Sequence, residues 1–305
     1  MSCLFDIPKK ERHCQFCSAI CDERPVQATK SGTNEKADVM HIWGYDWECA
    51  MEGHRIIHPD YPYVYYSKDD IEHKGDVVKL TLSKSKVDHI NHWDNTIYYP
   101  EFGGGLMRSM DTFGYGTFSA EVWMPKGKGL WPSFWLCGEG SWPNHGEIDV
   151  LEGYSDHNYL RIFTPYFPWI NPSWTTTTNV HYSGEDGMHK QIGSRSVSIF
   201  KQFDNPSNTF VKYECKWTPD EIVISVNGKV VRRDTMAVKK FSQLDNKMRW
   251  ILKMVNGDPD TVEQYANREC EMRVIFNLLC ENPNLYDVEM YQPMLIKNFE
   301  YKPLR

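Results

Sequence analysis

Between Ile222 and Arg233 the chain reads IVISVNGKVVRR, two alternating runs on either side of Asn227-Gly228. A tight type I′ turn needs positive φ at both central positions, and Asn followed by Gly reaches that backbone at least cost, so this stretch is committed to an antiparallel hairpin. The same period-2 texture recurs along the chain. VVKLTL (Val77–Leu82) sets Val78, Leu80 and Leu82 on one face, and GTFSAEVWMP (Gly116–Pro125), SFWLCG (Ser133–Gly138), MRVIFNLL (Met272–Leu279) and MLIKNFEY (Met294–Tyr301) follow. Helix-period runs are scarce, with TVEQYANRECEM (Thr261–Met272) the candidate for one short helix. Many strands punctuated by turns, with almost no helix, are expected to pack as two antiparallel sheets, an all-β sandwich or jelly roll.

This texture begins near Val39. Ahead of it, residues 22–38 (DERPVQATKSGTNEKAD) are polar and turn-rich, so 1–38 is expected to be an irregular arm and 39–305 a single sandwich domain. A chain of 305 residues with 41% apolar content has material for a large core. Its net charge of −7, with Lys and Arg dispersed, argues against nucleic acid or a highly sulfated polyanion as partner. Aromatic residues make up 14% of the chain, including 11 Trp and 17 Tyr, enough to fill a sheet-rich core and also to pave a cleft that stacks on flat rings. No apolar run is long enough to span a membrane, and the opening MSCLFDIPKKERHC lacks the pattern of an export leader. Nine cysteines without small-scaffold spacing read as mostly free thiols. His13, Cys14, Cys17 and Cys21 have partial zinc-ligand spacing, but no second pair completes a site, and an ordinary or disulfide-linked arm is the favoured reading.

The stretch HGEIDVLEGY (His145–Tyr154) carries Glu147, Asp149 and Glu152. On a regular strand Glu147 and Asp149 share one face while Glu152 points to the other. Acids crowded on a strand repel one another and lose hydration, so a purely structural strand has little reason to keep them, beyond an acidic edge that discourages aggregation. One extra residue, a β-bulge between Asp149 and Glu152, would turn the third acid back to join the other two. Two carboxyls held roughly 5–5.5 Å apart across a sugar bond are the apparatus of retaining glycoside hydrolysis, one attacking the anomeric carbon and the other protonating the leaving oxygen.

The segment GYGTFSAEVWMPKGKGLWPSFWLCGEGSWPNHGEIDVLEGY (Gly114–Tyr154) resembles the core of family-16 glycoside hydrolases, the jelly-roll, concanavalin A-like enzymes that include laminarinases, lichenases, agarases and carrageenases. EIDVLE matches the bulged E-x-D-x-x-E signature, and the likeness extends to NVHYSG (Asn179–Gly184), KYECKWTPDEIVISVNGKVV (Lys212–Val231) and, more faintly, RVIFNLL (Arg273–Leu279). The resemblance implies Glu147 as nucleophile, Asp149 as its assisting carboxylate and Glu152 as acid/base, on a concave sugar-binding face. With GLWPSFWL and a Trp-Pro pair just before the signature, it is most similar to the laminarinases, implying an endo-acting enzyme of β-1,3-glucan that needs no cofactor. Trp131, Trp135 and Trp142 match groove positions, with core packing expected for one of them; His145 and His181 are candidates to hydrogen-bond sugar hydroxyls, and Arg108 and Trp250 are candidate groove-wall residues. A structural calcium on the convex side occurs among such enzymes, and no ligand set for it stands out. A monomer is expected.

The chain departs from that pattern at Glu121, where many such enzymes carry Arg, and the reversed charge is expected to remodel substrate contacts. Mixed-linkage glucan, agar or carrageenan remain alternative substrates. A non-catalytic carbohydrate-binding sandwich and a structural or virion-associated β domain are the readings from other classes. A polymeric substrate implies action outside the cell, reached by export or by lysis.

Overall fold

The computed structural model describes residues 39–49, 56–58, 60–91, 96–125, 129–138, 142–143, 145–153, 176–183, 189–191, 195–197, 209–235, 271–281 and 293–305. The arm 1–38, Trp250 and residues 261–270 of the helix expected at Thr261–Met272 lie outside these residues, and Met272, the last residue of that stretch, is in a strand. In chain order the strands begin with β1 (Met40–Ile42), β2 (Tyr45–Glu48), β3 (Val64–Tyr66), β4 (Ile71–Lys74), β5 (Val77–Leu80), β6 (Leu82–Lys84) and β7 (Ile90–Asn91). They continue with β8 (Ile97–Tyr98), β9 (Phe102–Gly104), β10 (Leu106–Ser109), β11 (Gly116–Trp123), β12 (Leu130–Gly138), β13 (Glu147–Gly153) and β14 (Thr176–Ser183). The series ends with β15 (His189–Gln191), β16 (Arg195–Val197), β17 (Val211–Trp217), β18 (Glu221–Val226), β19 (Lys229–Thr235), β20 (Met272–Cys280) and β21 (Met294–Pro303). A single 3-10 turn, Lys68–Asp70, is the only helical element among the described residues.

Two large antiparallel sheets dominate. One has nine strands, ordered β1-β2-β10-β20-β12-β13-β14-β15 with β16 also on β14; the other has seven, ordered β19-β18-β17-β11-β21-β5-β4. The jelly-roll sandwich expected from the strand pattern is therefore present, and its inner faces share one core. Phe134 on β12 stacks on Phe276 of β20 at 4.6 Å, and Phe276 meets Phe299 of the second sheet edge-on at 6.1 Å. Trp47, fully buried, closes the same cluster against Phe276 and Phe299.

Local chemistry explains the elements. Asn227 and Gly228 take φ of 47° and 75°, the hairpin backbone their sequence calls for, and Val226 pairs with Lys229 across the turn. VVKLTL does bury Val78, Leu80 and Leu82, but the chain changes sheets at Thr81, giving β5 to the seven-stranded sheet and β6 to a three-stranded one. Buried Asp70 holds that crossing, accepting from the Thr81 and Ser83 hydroxyls at 3.0 Å each. Cys49, Cys215 and Cys280 carry free thiols, as expected, whereas Cys137 is disulfide-bonded. Glu121 faces away from the core on β11, accepting from Asn298 at 2.8 Å and pairing with Lys297 at 3.3 Å. It stands on the sheet opposite the acid trio, which corrects the expectation that it shapes substrate contacts.

Candidate functional site

The acid strand β13 lies between β12 and β14 near the middle of the nine-stranded sheet, and all seven of its residues are buried. Its pairing is irregular where the sequence asks for it. Against β12, Asp149 stands opposite Trp135, Leu151 opposite Phe134 and Glu152 opposite Ser133, so Val150 is the supernumerary residue. Against β14 the register shifts between Asp149, opposite Asn179, and Glu152, opposite Thr177. The bulge swings Glu152 onto the face that carries Glu147 and Asp149, turned away from the second sheet, while Ile148 and Leu151 pack into the core.

Each acid is held by a different neighbour. Glu147 accepts from the indole N–H of Trp142. Glu152 accepts from Asn179 Nδ2 at 2.6 Å, with the Thr177 hydroxyl at 3.5 Å, and Gln191 Nε2 in turn donates to Asn179 Oδ1 at 2.7 Å. His181 Nε2 stands 3.2 Å from Asp149 Oδ2, outside hydrogen-bonding alignment. The Nδ1 of His181 shares a proton with Nε2 of His189 at 2.7 Å, the two rings stacked 5.0 Å apart. Burial pushes the His189 imidazole down to about 4, assisted by the adjacent His181.

Crowding and desolvation dominate the acids' electrostatics. Burial, then the neighbouring Asp149, holds the Glu147 carboxyl well above the usual carboxylate range. Burial, then Glu152, does the same to Asp149, while a hydrogen bond from Glu147 and the charge of Arg232 pull it back down. Two adjacent carboxyls so placed share a proton and titrate as a pair.

The other expected residues distribute unevenly. Trp135 lies on the floor of the same face, 7% exposed, donating to Asn277 Oδ1 at 2.8 Å. Trp131, half-buried, forms an aromatic corner with His58 at 5.7 Å and Tyr61 at 5.4 Å. Trp142 packs on His189 at 4.6 Å as well as bonding Glu147, so all three tryptophans stand on the acid face or its rim. Arg108 shares the rung of Asp149 through Ile275 and Trp135, three strands away, where its Nε and Nη2 both donate to Glu48 Oε1. His145 is set apart: its backbone closes over Gly138, whose position points to the core side, and its Nδ1 is buried without a hydrogen-bond partner. Asn179, Gln191, His189, Asn277 and Glu48 were missed by the sequence reading. Only Asn179 had a local signal, its alternation with His181 in NVHYSG.

Among the described residues, Glu147, Asp149 and His181 offer three potential ligand atoms within 4.8 Å of one another. The set coincides with the proton-sharing acids, and we assign no metal to it.

Comparison with known proteins gives a consistent picture. Residues 60–272 match the family described as glycosyl hydrolases family 16. A glucan endo-1,3-beta-glucosidase of Cryptopygus antarcticus is 39% identical over 87 residues, 27% of this chain and 32% of that protein. A beta-1,3-glucan-binding protein of Penaeus monodon is 30% identical over 131 residues, 40% of this chain and 32% of that protein. The chain thus spans about a third of the length of these curated relatives. In fold it is similar to the laminarinase catalytic domain from Thermotoga maritima MSB8, with a TM-score of 0.51 and 18% identity over 78% of this chain and 81% of that one.

Proposed function

The chain belongs to the family 16 glycosyl hydrolases, and from that premise we propose that it is an endo-acting, retaining hydrolase of a β-linked glucan containing 1,3 linkages. The bulge at Val150 carries the reading, because it brings Glu147, Asp149 and Glu152 onto one face of the sheet. In the proposed cycle Glu147 attacks the anomeric carbon while the Glu152 carboxyl protonates the departing glycosidic oxygen, leaving a glycosyl ester on Glu147. Water that gives its proton to Glu152 then attacks the same carbon and frees Glu147, so configuration is retained. Trp142 steadies the nucleophile's oxygen, and Asp149 takes the proton that Glu147 must shed before attack. Trp131 and Trp135 offer flat apolar surface to pyranose rings beside the acids. A polymeric substrate places the action outside the cell.

A second reading, glucan binding without turnover, is favoured by the similarity to the Penaeus monodon binding protein. Digestion of laminarin, lichenan, agar and carrageenan, with the product anomer read by proton NMR, separates the two. The β-anomer should appear first from laminarin, and Glu147→Gln should abolish release while preserving binding. Inversion would overturn the assigned roles, and binding with no product from any polymer would establish the second reading.

A further inference from the structure

On the reverse of the acid face, inside the sandwich, lies a charge that this reaction leaves unused. Arg232 on β19 is 1% exposed, and a guanidinium is taken out of water only where partners compensate it. Its Nε donates to the Asp234 carboxylate two residues along the same strand, and its Nη1 donates to the Thr178 carbonyl at 2.7 Å. β19 is the outermost strand of the seven-stranded sheet among the described residues, whereas Thr178 belongs to β14 of the other. The side chain therefore crosses the core to grip the strand that supports the acids. Thr178 immediately precedes Asn179, which is the strand partner of Asp149 and the donor to Glu152.

We propose that Arg232 is a positioning residue of this site: from behind the sheet it holds the β14 backbone beneath Asn179 and supplies the positive charge against which the crowded acids can carry negative charge. The inference rests on the acids being the reacting groups. Among the described residues, the charged and titratable groups around Asp149 are Glu147 and Glu152 on its own strand, His181 on β14 with His189 behind it on β15, and Arg232, reaching from β19 behind the sheet; β12 presents the neutral Trp135. Arg273 on β20 shares the rung of Glu147 through Cys137 but donates to the Ser109 and Met110 carbonyls. Around Arg232 itself stand Asp234 and the Cys215 thiol. Among the described basic groups near Asp149, an imidazole is able to shed its charge and the Arg232 guanidinium is not, which makes Arg232 the permanent counter-charge.

The sign of the effect is determined. Removing a fixed cation raises the pH at which the acid pair gives up its proton, moving the acid limb of the pH–rate profile upward; neutralising Asp234 leaves the cation less compensated and moves it downward. Arg232→Met, Asp234→Asn, Arg232→Lys and the double variant Arg232→Met/Asp234→Leu are compared by pH–rate profile and by carboxyl-carbon NMR titration of Asp149. The expected upward shift for Arg232→Met is about 1 pH unit, a tenfold loss of rate well below the midpoint; the double variant, which also loses the opposing Asp234 charge, should move upward by less, with Asp234→Asn shifted oppositely and Arg232→Lys unmoved in limb position. The double variant, which buries no lone charge, decides the matter if a single one fails to fold. An unmoved limb and an unmoved titration in the folded double variant would overturn the proposal. Should no glucan be cleaved at all, the catalytic reading fails, and the NMR titration still decides whether Arg232 sets the charge of Asp149.

Discussion

At the scale of single residues, the site stores cost that a stable protein would not choose. Asp149 is 3% exposed beside two other acids, and its folded-state carboxyl is held well above its ordinary value by burial and by Glu152. A carboxyl raised on folding favours the folded chain while protonated, so this contribution is full below the unfolded value near pH 4 and is lost as pH climbs through the folded one. Asp149→Asn should therefore melt higher than the wild type at pH 7, by about 2–4 °C for each kcal/mol recovered, and the two melting curves should converge below about pH 4. Its catalytic rate should fall over the same range. Equal melting temperatures at pH 7 would mean that the acid is not strained where it stands. The three carboxylates were legible in EIDVLE because their spacing is local; their keepers were not, since nothing in the linear order shows that Gln191 holds Asn179, which holds Glu152.

At the scale of elements, the bulge is a device whose arithmetic can be tested. Deleting Val150 leaves Asp149 opposite Trp135, Leu151 opposite Phe134 and Glu152 opposite Ser133, the present partners in an unbroken ladder. That variant should lose about 1.5–3 kcal/mol with the fully buried valine, read by urea unfolding, yet keep measurable hydrolysis because all three acids still share a face. Inserting one alanine after Val150 makes four steps from Asp149 to Glu152, again an even number, so a straightened ladder keeps Glu152 on the acid face but slides it from Ser133 to the rung of Trp131, about 7 Å along the strand, and should abolish hydrolysis. Hydrolysis surviving the insertion but lost on the deletion would refute this account of the strand. The hairpin at Asn227-Gly228 and the bulge were readable in advance, because turn backbone and side-chain parity are properties of neighbouring residues. The break at Thr81 was not: VVKLTL alternates without interruption, and the change of sheet follows from the buried Asp70, eleven residues upstream, that captures Thr81 and Ser83.

At the scale of the whole molecule, one aromatic cluster joins the two sheets and should make them unfold together. Phe276 touches Phe134 at 4.6 Å, Trp47 at 5.8 Å, Phe299 at 6.1 Å and Trp43 at 6.4 Å. Phe276→Ala should cost about 3–5 kcal/mol and shift the fluorescence and circular dichroism transitions equally; separated transitions would show that the sheets are independent. By itself the amino-acid order determined the all-β class, the faces of the individual strands, the tight turns and the clustering of the three acids on one strand, for these rest on steric and hydropathic rules that act over a few residues. Only the tertiary structure decided that β20 is inserted between β10 and β12, that Trp135 finds Asn277 across 142 residues of chain, and that Arg232 reaches through the core to Thr178. Such pairings depend on the order of strands in a sheet and on which faces meet, and a period-2 pattern specifies which side of a strand is apolar without specifying its neighbour.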